Sequence, residues 1–313
     1  MHFQCKPSCP ECGDTPSTAT SRIMPGTNPK TSSVLPAPEQ VASYREHGWH
    51  VTGQIIPHDL LEEMRIVIDE HQRRPAHARL PPSIGHADWE PGHGRGVRNS
   101  EFLSVQQPLM RKLSLLPLLG EIAARLAGAR SIRLFDDQAV VKPPDDGEAV
   151  VGWHTDHSYW STCTSTQMLT AWIPFDDCSA EHGTLMVVDG SHRWPESEHI
   201  RGFKETDLRR LNELLAHDVV PAQIIALELK KGQVSFHHMR LVHGSAGNRS
   251  QRPRLAVAVH LQDQANEYRK FLDTSGKPIT LPHDRLCRKS AAGSPDYRDP
   301  AVFPELWSGG TDF

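Results

Sequence analysis

The chain has 313 residues, a formal net charge of −4, 37% hydrophobic and 23% charged residues, the balance of an ordinary globular protein with enough length for a substantial core. A net negative charge with no Lys/Arg run speaks against a nucleic-acid or anionic-lipid surface, and no apolar stretch reaches the roughly 18 residues of a membrane span. The N-terminus lacks a basic start followed by an apolar run, and the C-terminal "TDF" is no peroxisomal address, so a cytoplasmic protein acting on a small molecule is the default expectation.

Residues 1–37 carry "CKPSCPECG" at 5–13 and continue in Ser, Thr, Pro and Gly. Cys5, Cys9 and Cys12 supply three ligands for zinc, and His2 is a poor fourth, so this segment reads as a disordered, dispensable tail. Cys163, Cys178 and Cys287 are scattered, and without a secretory signal no disulfide framework is expected. Residues 38–313 then read as one domain. "PEQVASYREHG" is a short helix stopped by Gly48. "HDLLEEMRIVIDEHQRR" places Leu60, Leu61, Met64, Ile66, Val67 and Ile68 near helical spacing, with acids early and bases late. Residues 80–99, rich in Pro, Gly and His, predict a long loop, and a third helix is predicted over about 106–128 with Leu109, Leu113, Leu119, Ile122 and Leu126 on its apolar side.

From residue 131 the texture becomes β-rich. "SIRLFDDQAVVK", "QMLTAWIPF", "GTLMVVDGS", "QIIALEL", "GQVSFHH" and "PRLAVAVHLQ" predict short strands, interrupted by one helical insert, "ETDLRRLNELLAHD". Strands at such spacing predict a mainly β sandwich or jelly roll over about 130–262, with the N-terminal helices packed outside.

The chemistry concentrates in "GWHTDHSYW", residues 152–160. An H-x-D pair proves little alone: with 19 His in 313 residues roughly one is expected by chance, and "HAD" at His86–Asp88 is a second. The two differ in context. On an extended segment, residues i and i+2 share a face, so His154 and Asp156 can reach one metal while Thr155 faces away, which "HAD" in a Gly/Pro loop does not promise. His243 ends an apolar run before a Gly turn and offers the third ligand. Two His and one carboxylate form the facial triad of non-haem iron(II) oxygenases, which leaves three open positions. Arg254, eleven residues beyond His243, is suited to hold a carboxylate in bidentate fashion.

These residues, with "KPP" at 142–144, "AWIPFDDCSAEHGTLMVVDGSH" at 171–192, "SFHH" before His243 and "HGSAGNRS" from it, resemble the phytanoyl-CoA dioxygenase family of iron(II)- and 2-oxoglutarate-dependent oxygenases. The resemblance covers about residues 130–262 and implies a double-stranded β-helix core. It implies Fe(II) on His154, Asp156 and His243, and 2-oxoglutarate chelating the metal with its far carboxylate on Arg254 and Ser245. Lys142, Thr155 and Trp172 match positions that contact the cosubstrate. With O2, such an enzyme decarboxylates 2-oxoglutarate to succinate and hydroxylates an unactivated C–H bond. Halogenases related to this family carry Ala or Gly in place of the carboxylate; Asp156 is present, so hydroxylation is implied.

Histidines 237 and 238, before the third ligand, read as packing around the site, and His182 and His192 as turn residues. His157, Tyr159, Trp160 and Asp137 are the candidate substrate contacts. Together with Asp136 and an acidic turn at Asp145, Asp146 and Glu148, they predict a compact polar substrate such as an amine or amino acid. Two other enzyme readings stay open: a redox-inert, cupin-type zinc or manganese lyase or isomerase, and an acyl-CoA hydroxylase. A non-catalytic binding protein that keeps the fold is a third.

Overall fold

The computed structural model describes residues 34–309 except 75–76, 78, 94–95, 196 and 211–222. The cysteine cluster, residues 1–33 of the expected tail and the second half of the expected helical insert lie outside the described residues; the insert's first half contains a single 3-10 turn, Leu208–Arg210.

The N-terminal helices follow local rules. Helix α1 (Pro38–His47) has Pro at its first position and stops at Gly48, whose φ of 83° is the left-handed conformation glycine adopts without strain. Helix α2 (His58–Arg73) buries Leu61, Met64, Val67 and Ile68 on one face, leaving Ile66 outside at 59% exposed. The helix expected over 106–128 is instead a 3-10 turn (Pro108–Met110), α4 (Arg111–Ser114) and α5 (Pro117–Ala127), with α3 (Leu103–Gln106) ending where the expected range begins. Pro108 and Pro117 cannot donate the backbone hydrogen bond that a continuous helix needs, so each starts a new turn. Leu109, read as apolar-facing, is consequently 52% exposed.

Two antiparallel sheets form a double-stranded β-helix. The larger runs in the order β1 (Trp49–Gln54), β8 (Gln233–His238), β5 (Leu169–Pro174), β10 (Arg254–Asp263), β3 (Ser131–Lys142) and β11 (Glu305–Ser308), with β2 (Arg98–Glu101) also paired to β3. The smaller runs β4 (Val151–His154), β9 (His243–Ser245), β6 (Met186–Val188) and β7 (Ile224–Ala226). Strands β1, β2 and β11 extend the large sheet beyond the span expected from the sequence.

Side-chain alternation divides the large sheet into two faces. In β10, Leu255, Val257, Val259 and Leu261 join the core under the helices; in β5, Leu169, Ala171 and Ile173 do so, and in β8, Val234 and Phe236. The opposite parity, including Trp172, Ala256 and Ala258, packs on Leu185, Val187 and Ile225 across the gap between the sheets. A cleft opens within that gap. Among the described residues no helix is long and apolar enough to cross a membrane, and Cys163, Cys178 and Cys287 are buried and unbridged.

Candidate functional site

The pairing of β4 with β9 sets His154 directly opposite His243. Asp156 follows at the start of a 3-10 turn, and Thr155 between them is extended (φ −117°, ψ 146°), so the two flanking side chains share a face. Ligand atoms of His154, Asp156 and His243 all lie within 4.8 Å of one another, and all three residues are buried. Asp156 Oδ1 is 3.5 Å from His243 Nε2 and 4.0 Å from His154 Nε2.

The donor set suits a divalent metal. His154 Nδ1 lies 2.8 Å from the Gly152 carbonyl and His243 Nδ1 lies 2.9 Å from the Leu241 carbonyl. A carbonyl only accepts, so each ring is protonated at Nδ1 and turns an Nε2 lone pair toward Asp156. Burial pushes both imidazoles below their ordinary range, which keeps them neutral. Burial alone would raise the Asp156 carboxyl, but His243, His237 and His260 around it outweigh this and hold it well below the usual carboxylate range.

Gly152 is required by close approach: a Cβ there would collide with the carbonyl oxygens of Gly202 and Glu205, on a segment that packs along β4. Gly152→Ala is expected to destabilise the protein by about 1–3 kcal/mol, as overpacking does, and to lower iron occupancy together with the melting temperature. Calorimetry and metal analysis of the same sample check this; an unchanged melting temperature would contradict the packing.

Beyond the triad lies a buried cationic end. Arg254 donates from Nη1 to the Val140 carbonyl at 3.2 Å, but its buried Nε has no partner, and among the described residues no acid pairs with it. Burial lowers it to about 10. The Trp172 ring centroid is 5.7 Å from its Cζ. Lys142, opposite Arg254 in register, donates to the Ser245 hydroxyl at 2.6 Å and to the carbonyls of Ser245 and Ala246. Burial first, and Arg254 second, depress its pKa strongly. Lys142 Nζ has three acceptors within reach, so when charged it spends its three hydrogens on them, and Ser245 then accepts and keeps its own hydroxyl hydrogen for an anion in the cleft. A guanidinium with an unpartnered Nε and a hydroxyl hydrogen beside it fit the far carboxylate of 2-oxoglutarate.

The cleft holding these groups is open to solvent on one side and is lined by the triad, Trp172, Ser245 and Arg254, and also by Gln138, Thr170, Phe203, His237 and His260. These last five were not among the expected site residues, although His237 was read as packing nearby. Its Nε2 lies 3.4 Å from Asp156 Oδ2, and its ring centroid is 4.4 Å from that of His243 with the planes tilted by 48°.

Several expected residues lie elsewhere. Thr155 gives its hydroxyl to the Ser197 carbonyl at 3.1 Å, away from the cleft. Asp137 is buried on the helix side, accepting from Ser104 and Ser114. Asp136 accepts from the Phe102 amide at 3.1 Å. Trp160 packs between Phe135 and His260 in a separate apolar cluster. His157 is absent from the cleft wall and anchors its turn through its amide on Met239. Tyr159 stays near the metal side, its ring edge-on to His154 at 5.9 Å and its hydroxyl accepting from the Phe203 amide. Asp146 is a buried turn residue accepting from the Gly96 and Glu148 amides, while Asp145 and Glu148 are exposed.

The phytanoyl-CoA dioxygenase (PhyH) family model matches residues 44–256. The chain is 23% identical over 273 residues to the peroxisomal phytanoyl-CoA dioxygenase of Rattus norvegicus, covering 83% of this chain and 79% of that protein. It is 27% identical over 232 residues to the ectoine dioxygenase of Bordetella parapertussis, covering 70% and 73%. Among solved structures, the epimerase SnoN in complex with Fe3+, alpha ketoglutarate and nogalamycin RO superposes with a TM-score of 0.61 at 22% identity, over 86% of this chain and 98% of that one.

Proposed function

The chain belongs to the phytanoyl-CoA dioxygenase family of iron(II)- and 2-oxoglutarate-dependent oxygenases, and on that premise we propose that it hydroxylates a compact, polar small molecule. His154, Asp156 and His243 would hold the iron through Nε2, Oδ1 and Nε2. Arg254 and Ser245 would take the far carboxylate of 2-oxoglutarate, Trp172 would wall that pocket, and Lys142 would set Ser245 rather than touch the cosubstrate. Bound there, iron and 2-oxoglutarate supply the two-electron oxidation of a C–H bond by O2, with succinate and CO2 as products. The protein's part is to position the carbon and keep water out of the cleft.

The observation that carries the substrate class is the cleft itself. The cosubstrate would occupy its cationic end, so the substrate meets the rest of the wall. There Val140, Val151, Leu185, Phe203 and Ala258 give an apolar lining, and Gln138 is a polar point within it: its amide gives one hydrogen to His260 and keeps Oε1 for a donor such as an amine or hydroxyl. An acyl-CoA substrate would call for a wide apolar channel instead. A redox-inert zinc or manganese site would leave Arg254 with nothing to bind.

The test is 2-oxoglutarate-dependent succinate release with Fe(II) and ascorbate, alone and with a panel of amino acids, amino sugars and acyl-CoA thioesters. Succinate release stimulated by a polar amine or hydroxyl compound is the expected result. Strong stimulation by an acyl-CoA with none by any polar compound would overturn the substrate class, and no succinate under any condition would overturn the activity.

A further inference from the structure

The second oxygen of the metal-facing carboxylate is tied to the cleft wall by an unbroken line of hydrogen bonds. Asp156 Oδ2 accepts from the Thr170 hydroxyl at 2.6 Å. The same hydroxyl oxygen lies 2.7 Å from His260 Nδ1, and His260 Nε2 lies 2.9 Å from Gln138 Nε2. Thr170 and His260 are direct register partners on β5 and β10, and Gln138 projects from neighbouring β3, so three strands of the large sheet hold the line rigidly.

The direction of every bond follows from one constraint. An ionised carboxylate only accepts, so Thr170 spends its single hydrogen on Asp156. It must then accept from His260, which makes that ring the Nδ1–H tautomer with a lone pair on Nε2. Gln138 can only answer with its NH2 group. Each group has one role, and neither Thr170 nor His260 can turn without breaking two bonds.

We propose that Thr170, His260 and Gln138 are positioning residues that restrict Asp156 to one-oxygen contact with the metal. This rests on the iron and 2-oxoglutarate reading. A carboxylate free to swing can ligate through both oxygens and occupy a fourth position, whereas a cosubstrate chelate and dioxygen need three left open. With Oδ2 held by Thr170, that second contact requires giving up a short, charge-assisted hydrogen bond. The relay thus protects 2-oxoglutarate binding more than iron binding.

That split is the test. Full-length wild type, Thr170→Val, Thr170→Ser and Gln138→Leu are titrated anaerobically, first with Fe(II) against a competing chelator. The Fe(II)-loaded proteins are then titrated with 2-oxoglutarate, read by the visible charge-transfer absorption of the chelate. Thr170→Val keeps the shape and loses the hydroxyl; it should retain Fe(II) affinity and lose 2-oxoglutarate affinity by about tenfold, the size expected for one hydrogen bond to a charged group. Thr170→Ser should restore it. Gln138→Leu, at the partly open cleft wall, should show the same split in weaker form and remains available if the valine variant does not fold. Wild-type 2-oxoglutarate affinity in both Thr170→Val and Gln138→Leu overturns the proposal, as does equal loss of iron and 2-oxoglutarate, which marks a merely structural role. If wild type itself forms no chelate absorption, it is the iron and 2-oxoglutarate reading that fails.

Discussion

Asp156→Gly is expected to give a folded protein that releases no succinate from 2-oxoglutarate, and His154→Ala to lose iron affinity by more than about 100-fold, since even residues that merely orient a metal ligand cost 10–100-fold. The fold should survive both changes because the β4–β9 pairing that presents the site is a backbone pairing, and the groups around Asp156 are histidines and Thr170 rather than an arginine or lysine that would be left uncompensated. The informative contrast is with the other H-x-D. Asp88 is held by His71 and Arg79, each at 3.0 Å, in a pocket where all three side chains are nearly inaccessible. Asp88→Ala leaves Arg79 buried and uncompensated, a loss of about 3–5 kcal/mol. It should therefore lower the denaturation midpoint sharply while the iron bound per folded molecule stays at the wild-type level. Anaerobic Fe(II) titration beside urea denaturation separates the two effects. If His154→Ala bound iron and turned over like wild type, the assignment of the triad would be wrong.

The same contrast explains why the sequence could rank these pairs. His154 and Asp156 follow a β run and are joined by an extended Thr155, so spacing alone brought their side chains to one face. What spacing could not provide was the far wall of the cleft, yet the signal was present as strand parity. Counting by twos from Arg254 along β10 reaches Ala256, Ala258 and His260, and from Trp172 along β5 it reaches Thr170, all of them on the cleft face. On β3, counting back from Lys142 gives Val140 and Gln138 and skips Asp137, whose partners lie under the helices. Asp137 was chosen for its charge, and parity would have excluded it. Trp160 and His157 were chosen for nearness in sequence to the triad, but the 3-10 turn over Asp156–Tyr159 turns the chain away within one residue of the last ligand. The helix over 106–128 failed for a different reason: periodic leucines span Pro108 and Pro117, and the missing amide hydrogens outweigh the pattern. Strands β4 and β9 are too short, at four and three residues, to announce themselves by alternation.

Arg254→Ala is expected to reduce 2-oxoglutarate affinity by at least tenfold and to leave Fe(II) affinity close to wild type. Arg254 sits past the triad, with its Nε unpartnered and no acid beside it among the described residues, so in the loaded enzyme the cosubstrate carboxylate is its natural counter-charge. Removing one member of such a buried pair costs on the order of 2–5 kcal/mol, and each 1.4 kcal/mol is a factor of ten. Without the cosubstrate the substitution takes away an unpaired buried cation, so the melting temperature of the unloaded protein should hold or rise. That sign distinguishes a binding residue from a structural one. Arg249 and Arg252 lie on the same stretch with exposed side chains, and alanine at either should leave 2-oxoglutarate affinity within about twofold, as surface changes do. Calorimetric titration of the Fe(II)-loaded variants measures all three. Equal losses at 249, 252 and 254 would mean that the cationic end of the cleft binds by general attraction, and a lower melting temperature for unloaded Arg254→Ala would mean that its bond to the Val140 carbonyl matters more to the fold than its open nitrogen does to the cosubstrate.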